Sequence, residues 1–336
     1  IGTEGTAPVL ARRIKTDVEA MLSPRLGALA ALSGSLRDAV AASIPRPKRR
    51  AFWAWVFGGA PALMHRAGDE AGATQLMEQA IAANGDLTTG TGGAIALVGA
   101  GPGARDLLTL RAVERLQEAD VIFYDRLVDP EVLELARRDA ERVYVGKTVG
   151  ACAWPQAKIS QLIVAEAKKG RRVVRLKSGD PAIFGRATEE LEAARDQAIP
   201  VEIVPGVTAA SAAAASFTAS LTERGETDTL VVTTGTCRPG DRDPQWAHHV
   251  RAGATLAVYM GVSAAPRIAE EVMLAGAMPD TRVEVAVDVS KSSERRVTTT
   301  LGALAHDLET ADVTGSAIIL MKFRKSQIQV AAIAAE

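Results

Sequence analysis

Three short loops hold the residues whose types and spacing could do chemistry. The first is Val98-Gly99-Ala100-Gly101-Pro102-Gly103, which follows an apolar segment. Glycines there let the backbone turn sharply between a strand and a helix and let a ligand approach it closely. A full dinucleotide fingerprint needs a third glycine three residues after the second, and Ala104 holds that position. Pro102 also removes an amide that a pyrophosphate would use. Roughly 20 positions on, at the end of the next apolar run, stands Asp125, where a ribose-binding acid would sit. Three readings stay open for this loop: an NAD site, a site for another nucleotide-like cofactor, and a plain structural turn.

The second loop runs from Lys177 to Arg186 and contains Ser178-Gly179-Asp180-Pro181 and Ile183-Phe184-Gly185-Arg186. Turn chemistry explains Gly179, Asp180 and Pro181. It does not explain the basic-acidic-basic string with an aromatic inside it. The third loop, Val204-Pro205-Gly206-Val207-Thr208-Ala209-Ala210-Ser211, again sets small residues at a strand-to-helix turn. Three such loops at successive strand ends could floor a cleft that admits a flat ligand.

The elements that must position these loops alternate in rhythm. From residue 94 the pattern predicts strands at 94–98, 120–124, 142–145, 173–177 and 201–204. Helices fall between them at 107–119, 130–138, 155–169 and 188–197, with one more at 208–215. That is a parallel sheet covered by helices. A second α/β unit follows, with strands at 229–233, 255–259, 283–287 and 317–322 and helices at 265–274 and 301–308. Active sites of such folds lie beyond the carboxyl ends of the strands or between two lobes. Before residue 94 the chain reads as helical over 9–22, 26–42 and from Arg49 onward. Pro24, Pro45 and Pro47 punctuate it, and a short helix over 71–83 leads into a Gly/Thr-rich stretch. The expected division is a helical segment 1–75, a linker 76–93, an N-terminal α/β lobe 94–222, a C-terminal α/β lobe 223–325 and a tail 326–336.

Bulk composition narrows the partners. The 336 residues suffice for two or three folding units, and 47% hydrophobic content supports a sizeable core. A net charge of −1 offers no global attraction to nucleic acid or an acidic membrane, so an anionic ligand must meet a local basic cluster. Cys152 and Cys237 are far apart, and His65, His248, His249 and His306 show no ligand spacing, so no metal site is expected. Two reduced thiols suit a cytoplasmic protein. No membrane span and no signal-peptide layout are present, and the start at Ile1 reads as a piece of a longer chain.

Residues 98–110, Tyr124 to Val128, Val145-Gly146-Lys147, residues 175–186, residues 204–211 and Tyr259-Met260-Gly261 follow one another in an order and spacing that resembles uroporphyrinogen III methyltransferases. The resemblance covers about residues 94–325. Residues 1–90, through Ile1-Gly2-Thr3-Glu4-Gly5-Thr6-Ala7-Pro8-Val9-Leu10-Ala11-Arg12, look like the C-terminal helical part of the dehydrogenase/ferrochelatase module fused to this enzyme in siroheme synthases. The NAD-binding strand, loop and helix of that module are not among these residues. The resemblance implies the two-lobed tetrapyrrole methylase fold, with its cleft between the lobes. It implies methyl transfer from S-adenosyl-L-methionine to rings A and B of uroporphyrinogen III, giving precorrin-2 and S-adenosyl-L-homocysteine, without a metal.

Carried residue by residue, the resemblance puts Pro102, Ser178, Gly179, Asp180, Ile183, Thr208, Ala209, Met260, Ser290 and Ala317 at the cofactor. Asp125 takes the place of a proton acceptor and Lys147 that of a proton donor. Because the implied substrate is a polycarboxylate, Arg126, Lys147, Lys177, Arg186 and Arg224 are its candidate clamps, with Arg186 also counted among the catalytic residues. Four positions depart from the common pattern: Ser178 for a glycine, Ala187-Thr188 for Gly-Gly, Glu223 for a histidine and Ser290 for a glycine. Other readings are a methyltransferase of the same fold with a later corrin, diphthamide or RNA acceptor, an NAD-dependent dehydrogenase, and a non-catalytic dimerisation piece. The apolar N-terminal helices predict a homodimer.

Overall fold

The computed structural model describes residues 6–21, 24–85, 93–146, 154–237, 240 and 244–326. The chain divides into two compact units, Ile1–Thr91 and Gly92–Glu336. Among the described residues, no helix is long and apolar enough to cross a membrane.

The first unit is helical: α1 (Pro8–Met21), α2 (Leu26–Ser35), α3 (Arg37–Ser43), α4 (Arg46–Gly58), α5 (Ala60–Ala67) and α6 (Glu70–Ala82). Leu36 separates α2 from α3, so the helix expected over 26–42 is two. Pro47 opens α4 instead of ending a helix, because a first-turn proline gives up an amide that had no partner. Asp69 caps α6 by accepting from the Gly72 amide at 2.8 Å. That helix runs to Ala82, so the first residues of the expected 76–93 linker are helical. Val40, Ile44, Phe52, Val56 and Met77 form the core of this unit. Val9, Leu10, Ile14 and Val18 of α1 stay exposed.

The second unit opens with β1 (Ala94–Gly99), α7 (Leu110–Glu118), β2 (Val121–Tyr124), α8 (Pro130–Leu133), β3 (Glu141–Tyr144), α9 (Gln156–Lys168), β4 (Arg172–Lys177), α10 (Ala187–Arg195), β5 (Val201–Val204) and α11 (Ala209–Ser216). The helix expected over 130–138 is thus a single turn. The five strands are parallel in the order β3-β2-β4-β1-β5. Two apolar layers sandwich them. Val98, Leu116, Ile122, Val132 and Leu176 lie on one face, under α7 and α8. Leu97, Phe123, Ile163, Val173 and Ala194 lie on the other, under α9 and α10.

A second sheet follows: β6 (Thr229–Thr234), β7 (Ala254–Tyr259), β8 (Arg282–Val287), β9 (Arg295–Thr300) and β10 (Ala317–Phe323), with α12 (Ala265–Leu274) and α13 (Leu304–Thr310). Its order is β6-β7-β10-β8-β9. Only β6–β7 is parallel; β10 and β9 run antiparallel to their neighbours. The sequence reading missed β9, whose Arg295-Arg296-Val297-Thr298-Thr299-Thr300 is polar because it is an edge strand with little to bury. The molecule is therefore a two-lobed α/β fold with a helical segment ahead of it. One element crosses between the lobes: α11 leaves β5 of the first sheet but packs Ala210, Ala213 and Ala214 on Ala257, Ala286, Ile318 and Leu320 of the second.

Candidate active site

In the first sheet β1 lies beside β4, yet β1 leads to α7 on one face and β4 to α10 on the other. Loops that leave neighbouring strands for opposite faces open a crevice at the strand ends, where ligands bind in such folds. The Gly99 and Ser178 loops are those two, and the Gly206 loop joins them from β5. A Cβ built on Gly99 would lie 2.6 Å from the Gly206 nitrogen and 2.7 Å from the Gly179 oxygen; one on Gly206 would lie 2.9 Å from the Gly99 Cα. Both positions must be glycine because backbone from a neighbouring loop fills the space a side chain would take.

Backbone pairing holds the loops in that contact. The Gly179 amide donates to the Gly101 carbonyl at 2.7 Å, and the Gly101 amide donates back at 3.3 Å. Asp180 finishes the junction: its Oδ2 accepts from the Gly206 amide at 3.1 Å and its Oδ1 from the Ala182 amide at 2.7 Å. Pro102 and Gly179 are buried here, while Ser178, Asp180, Ile183, Thr208 and Ala209 are half-buried around them. Seven of the expected cofactor residues thus lie on the three loops that meet.

The second lobe faces this junction with the ends of β7, β8 and β10. The Tyr259 hydroxyl bonds the Thr208 side chain and accepts from the Ala210 amide at 2.9 Å. Its ring lies 5.2 Å from that of Phe184. The Ser290 hydroxyl accepts from the Ala104 amide at 3.0 Å, and Lys291 Nζ donates to the Leu127 carbonyl at 3.2 Å. Of the nine non-glycine residues with positive φ among the described ones, five stand in these facing loops: Phe184, Arg186, Met260, Asp288 and Ser290. Side chains rarely take that conformation unless the surroundings hold it, and such residues cluster at ligand sites. Ser290, at φ 64°, explains why glycine is common there. Its side chain is committed to the first lobe rather than aimed into the junction. Met260 is 49% exposed and Ala317 is buried at the start of β10.

Beside the junction runs a charged network. Strand alternation puts Arg175 and Lys177 on the α9–α10 face of β4. Fully buried Glu190 receives both: Arg175 Nε at 3.2 Å and Lys177 Nζ at 2.8 Å. Gln156 donates to the same carboxylate at 3.0 Å. Arg175 reaches onward to Asp125 Oδ2 at 3.0 Å, and Asp125 Oδ1 accepts from the Leu127 amide at 3.1 Å. Burial, then repulsion from Arg175, pushes the Lys177 ammonium below the usual lysine range against the pull of Glu190.

This network corrects one expectation. Lys177 is not a surface clamp: its ammonium is buried on Glu190 and the Gly185 carbonyl, so it anchors the loop that carries Asp180. Arg224 is a second correction. It is exposed in the turn between Glu223 and Thr227, which packs against Arg324, Lys325 and Ser326 past the far end of β10. At about 3.4 Å per residue that end is about 20 Å from Ala317. Arg186 grips Glu189 with its guanidinium, 2.9 Å at Nη2, on an exposed face. Arg126 is exposed next to Asp125. Lys147 lies outside the described residues.

Cavities of about 540 and 730 Å³ open elsewhere, the first against Phe217, Arg282 and Lys322, the second between α9 and α10 with Arg186 on its rim. Neither reaches the glycine junction. Sequence reasoning passed over Tyr259, Arg175 and Glu190. Two cations two apart on a strand buried on both faces were a signal, since buried charges need a partner.

The fold and the junction define the class first: a two-lobed α/β transferase with its cofactor loops facing a second sheet. Residues 94–305 match the Tetrapyrrole (Corrin/Porphyrin) Methylases, and residues 25–81 the Sirohaem synthase dimerisation region. The chain is 42% identical over 324 residues to the siroheme synthase of Chromobacterium violaceum, covering 96% of this chain and 68% of that one. It is 44% identical over 286 residues to siroheme synthase 1 of Serratia proteamaculans, covering 85% of this chain and 60% of that one. The uroporphyrin-III C-methyl transferase of Thermus thermophilus, solved in complex with S-adenyl homocysteine, superposes with a TM-score of 0.59 at 38% identity, over 68% of this chain and 92% of that one. The chain belongs to the tetrapyrrole methylases, and its activity is methyl transfer to a tetrapyrrole.

Proposed function

We propose that this chain methylates uroporphyrinogen III on rings A and B to give precorrin-2, on the way to siroheme. The observation that carries the reading is the Gly99–Gly179–Gly206 junction closed by Asp180 and faced by Tyr259 and Phe184. It suits S-adenosyl-L-methionine, a compact cofactor that needs close backbone approach. Bound there, that cofactor supplies an electrophilic methyl group. A dinucleotide suits it less. The Ala104 amide, at the third-glycine position of a dinucleotide loop, is taken by Ser290, and Pro102 offers none.

The chain's own residues supply position and proton management. Forming a bond from a neutral pyrrole carbon to a methyl group leaves a cation that must lose a proton. Asp125, anchored by Arg175 with its side chain 27% exposed, is the proposed acceptor. Arg126, exposed beside Asp125, and Arg186, exposed though paired with Glu189, are the proposed partners of substrate carboxylates. Holding donor and acceptor in line contributes up to roughly 7–11 kcal/mol in favourable cases. The exposed Val9, Leu10, Ile14 and Val18 of α1, ahead of the dimerisation region, support a homodimer.

The test is incubation of the protein with uroporphyrinogen III and S-adenosyl-L-methionine under reducing conditions. Product two methyl groups heavier, with S-adenosyl-L-homocysteine released in twofold ratio, is expected. No mass gain with that substrate, alongside methylation of a later corrin intermediate, overturns the choice of substrate.

A further inference from the structure

A carboxylate that takes up a proton on a loop needs something rigid behind it. Asp125 follows the last residue of β2, and its only side-chain partner among the described residues is Arg175. The Arg175 side chain is 6% exposed and the Glu190 side chain 0%. The Arg175 guanidinium is fixed on three sides: Nη1 donates to the Leu176 carbonyl at 2.7 Å, Nη2 to Asp125 at 3.0 Å, and Nε to Glu190 at 3.2 Å. Glu190 sits in the first turn of α10, where the positive end of the helix dipole favours a carboxylate. Arg175, Lys177, Glu190 and Asp125 together carry no net charge, and Glu190 is the only anion in the buried half of the set.

We propose that Glu190 is a positioning residue for methyl transfer: by anchoring Arg175 it fixes the guanidinium that holds Asp125, while Lys177 keeps its hold on the Gly185 carbonyl. The inference rests on Asp125 being the proton acceptor. Removing Glu190 leaves buried Lys177 with no carboxylate partner, and buried unpaired charge is strongly unfavourable. Arg175 then keeps Asp125 as its only carboxylate partner. The charged and titratable groups around Asp125 are Arg175 and Lys177 from β4, Glu190 from α10, Arg126 beside it in the chain, and the Tyr124–Tyr144 ring pair from β2 and β3.

The test compares Glu190→Gln, Glu190→Asp, Arg175→Lys and Asp125→Asn in the full chain. Turnover of uroporphyrinogen III, S-adenosyl-L-homocysteine affinity and Tm are measured for each. For Glu190→Gln we expect kcat to fall about tenfold or more and cofactor-product affinity to stay within about twofold. Glu190→Asp keeps the charge and should return kcat toward wild type. A packing role alone would lower Tm and leave kcat of the folded protein unchanged. If Glu190→Gln fails to fold, Arg175→Lys carries the test, since it keeps the cation and loses the fork; the same loss of kcat with retained affinity is expected. Wild-type kcat in the folded variant overturns the proposal. Asp125→Asn separates the two layers. Wild-type turnover there ends both the acceptor reading and this inference. An inactive Asp125→Asn beside an unaffected Glu190→Gln ends this inference alone.

Discussion

The Tyr259 hydroxyl accepts a hydrogen bond from the Ala210 amide at 2.9 Å, so a side chain at the end of one sheet caps the helix that grows from the other. Helix α11 has no cap of its own, because Thr208 turns its hydroxyl to Tyr259 instead of to the helix. The cap therefore joins three things: the loop after β5, the cofactor junction and the second lobe.

Replacing that phenol tests the joint. Tyr259→Phe keeps the ring contact with Phe184 and removes only the oxygen. Losing a cap or one half-buried hydrogen bond costs about 1 kcal/mol. For a unit of this size that lowers Tm by about 2–4 °C. Scanning calorimetry reads it, and an unchanged Tm contradicts the capping role.

The glycine junction makes a sharper prediction. Gly206→Ala puts a methyl group against the Gly99 backbone, which belongs to the sheet and cannot yield. We expect S-adenosyl-L-homocysteine affinity to fall by about tenfold or more, about 1.4 kcal/mol for each factor of ten. Gly34→Ala in α2 meets nothing within 4 Å and should stabilise its helix by up to about 1 kcal/mol. Equal cofactor affinity in wild type and Gly206→Ala would falsify the close-approach account.

Much of this was legible in the residues. The strand rhythm from residue 94 and the three small-residue loops located the sheet and the junction, because turns at strand ends need particular residue types. The role of Lys177 was not legible. Its partner Glu190 sits on a helix 13 positions on, and only the packing of α10 over β4 brings the two together. Arg224 was misplaced for a similar reason: a basic residue in a loop gives no sign of which end of a sheet its turn will join. Strand β9 escaped because an edge strand with one shielded face lacks the apolar run that marks a central one.

The buried lysine gives a pH dependence whose sign is fixed. The folded Lys177 has a lowered pKa, first through burial and then through Arg175, while the unfolded chain keeps about 10.4. Between those two values the unfolded chain binds more protons, so stability rises with pH across that window. The difference in unfolding free energy between wild type and Lys177→Met should therefore move in favour of wild type as pH rises toward 10.4. Denaturant melts at several alkaline pH values measure it. A difference that is flat or moves the other way contradicts the lowering of the Lys177 pKa by burial.

The helical unit predicts assembly. Leu10, Ile14 and Val18 recur at helical spacing on α1 and are exposed in the single chain. Analytical ultracentrifugation should find a dimer for wild type and a monomer for Leu10→Glu with Ile14→Glu. A variant that still sediments as a dimer removes α1 from the interface.

The measurement that bears most directly on the central claim is calorimetric titration of S-adenosyl-L-homocysteine into wild type and Asp180→Ala, with NAD as a parallel ligand. The junction account predicts clear binding to wild type, weakening of about tenfold or more without the Asp180 latch, and no heat from NAD. NAD binding with no S-adenosyl-L-homocysteine signal would contradict it.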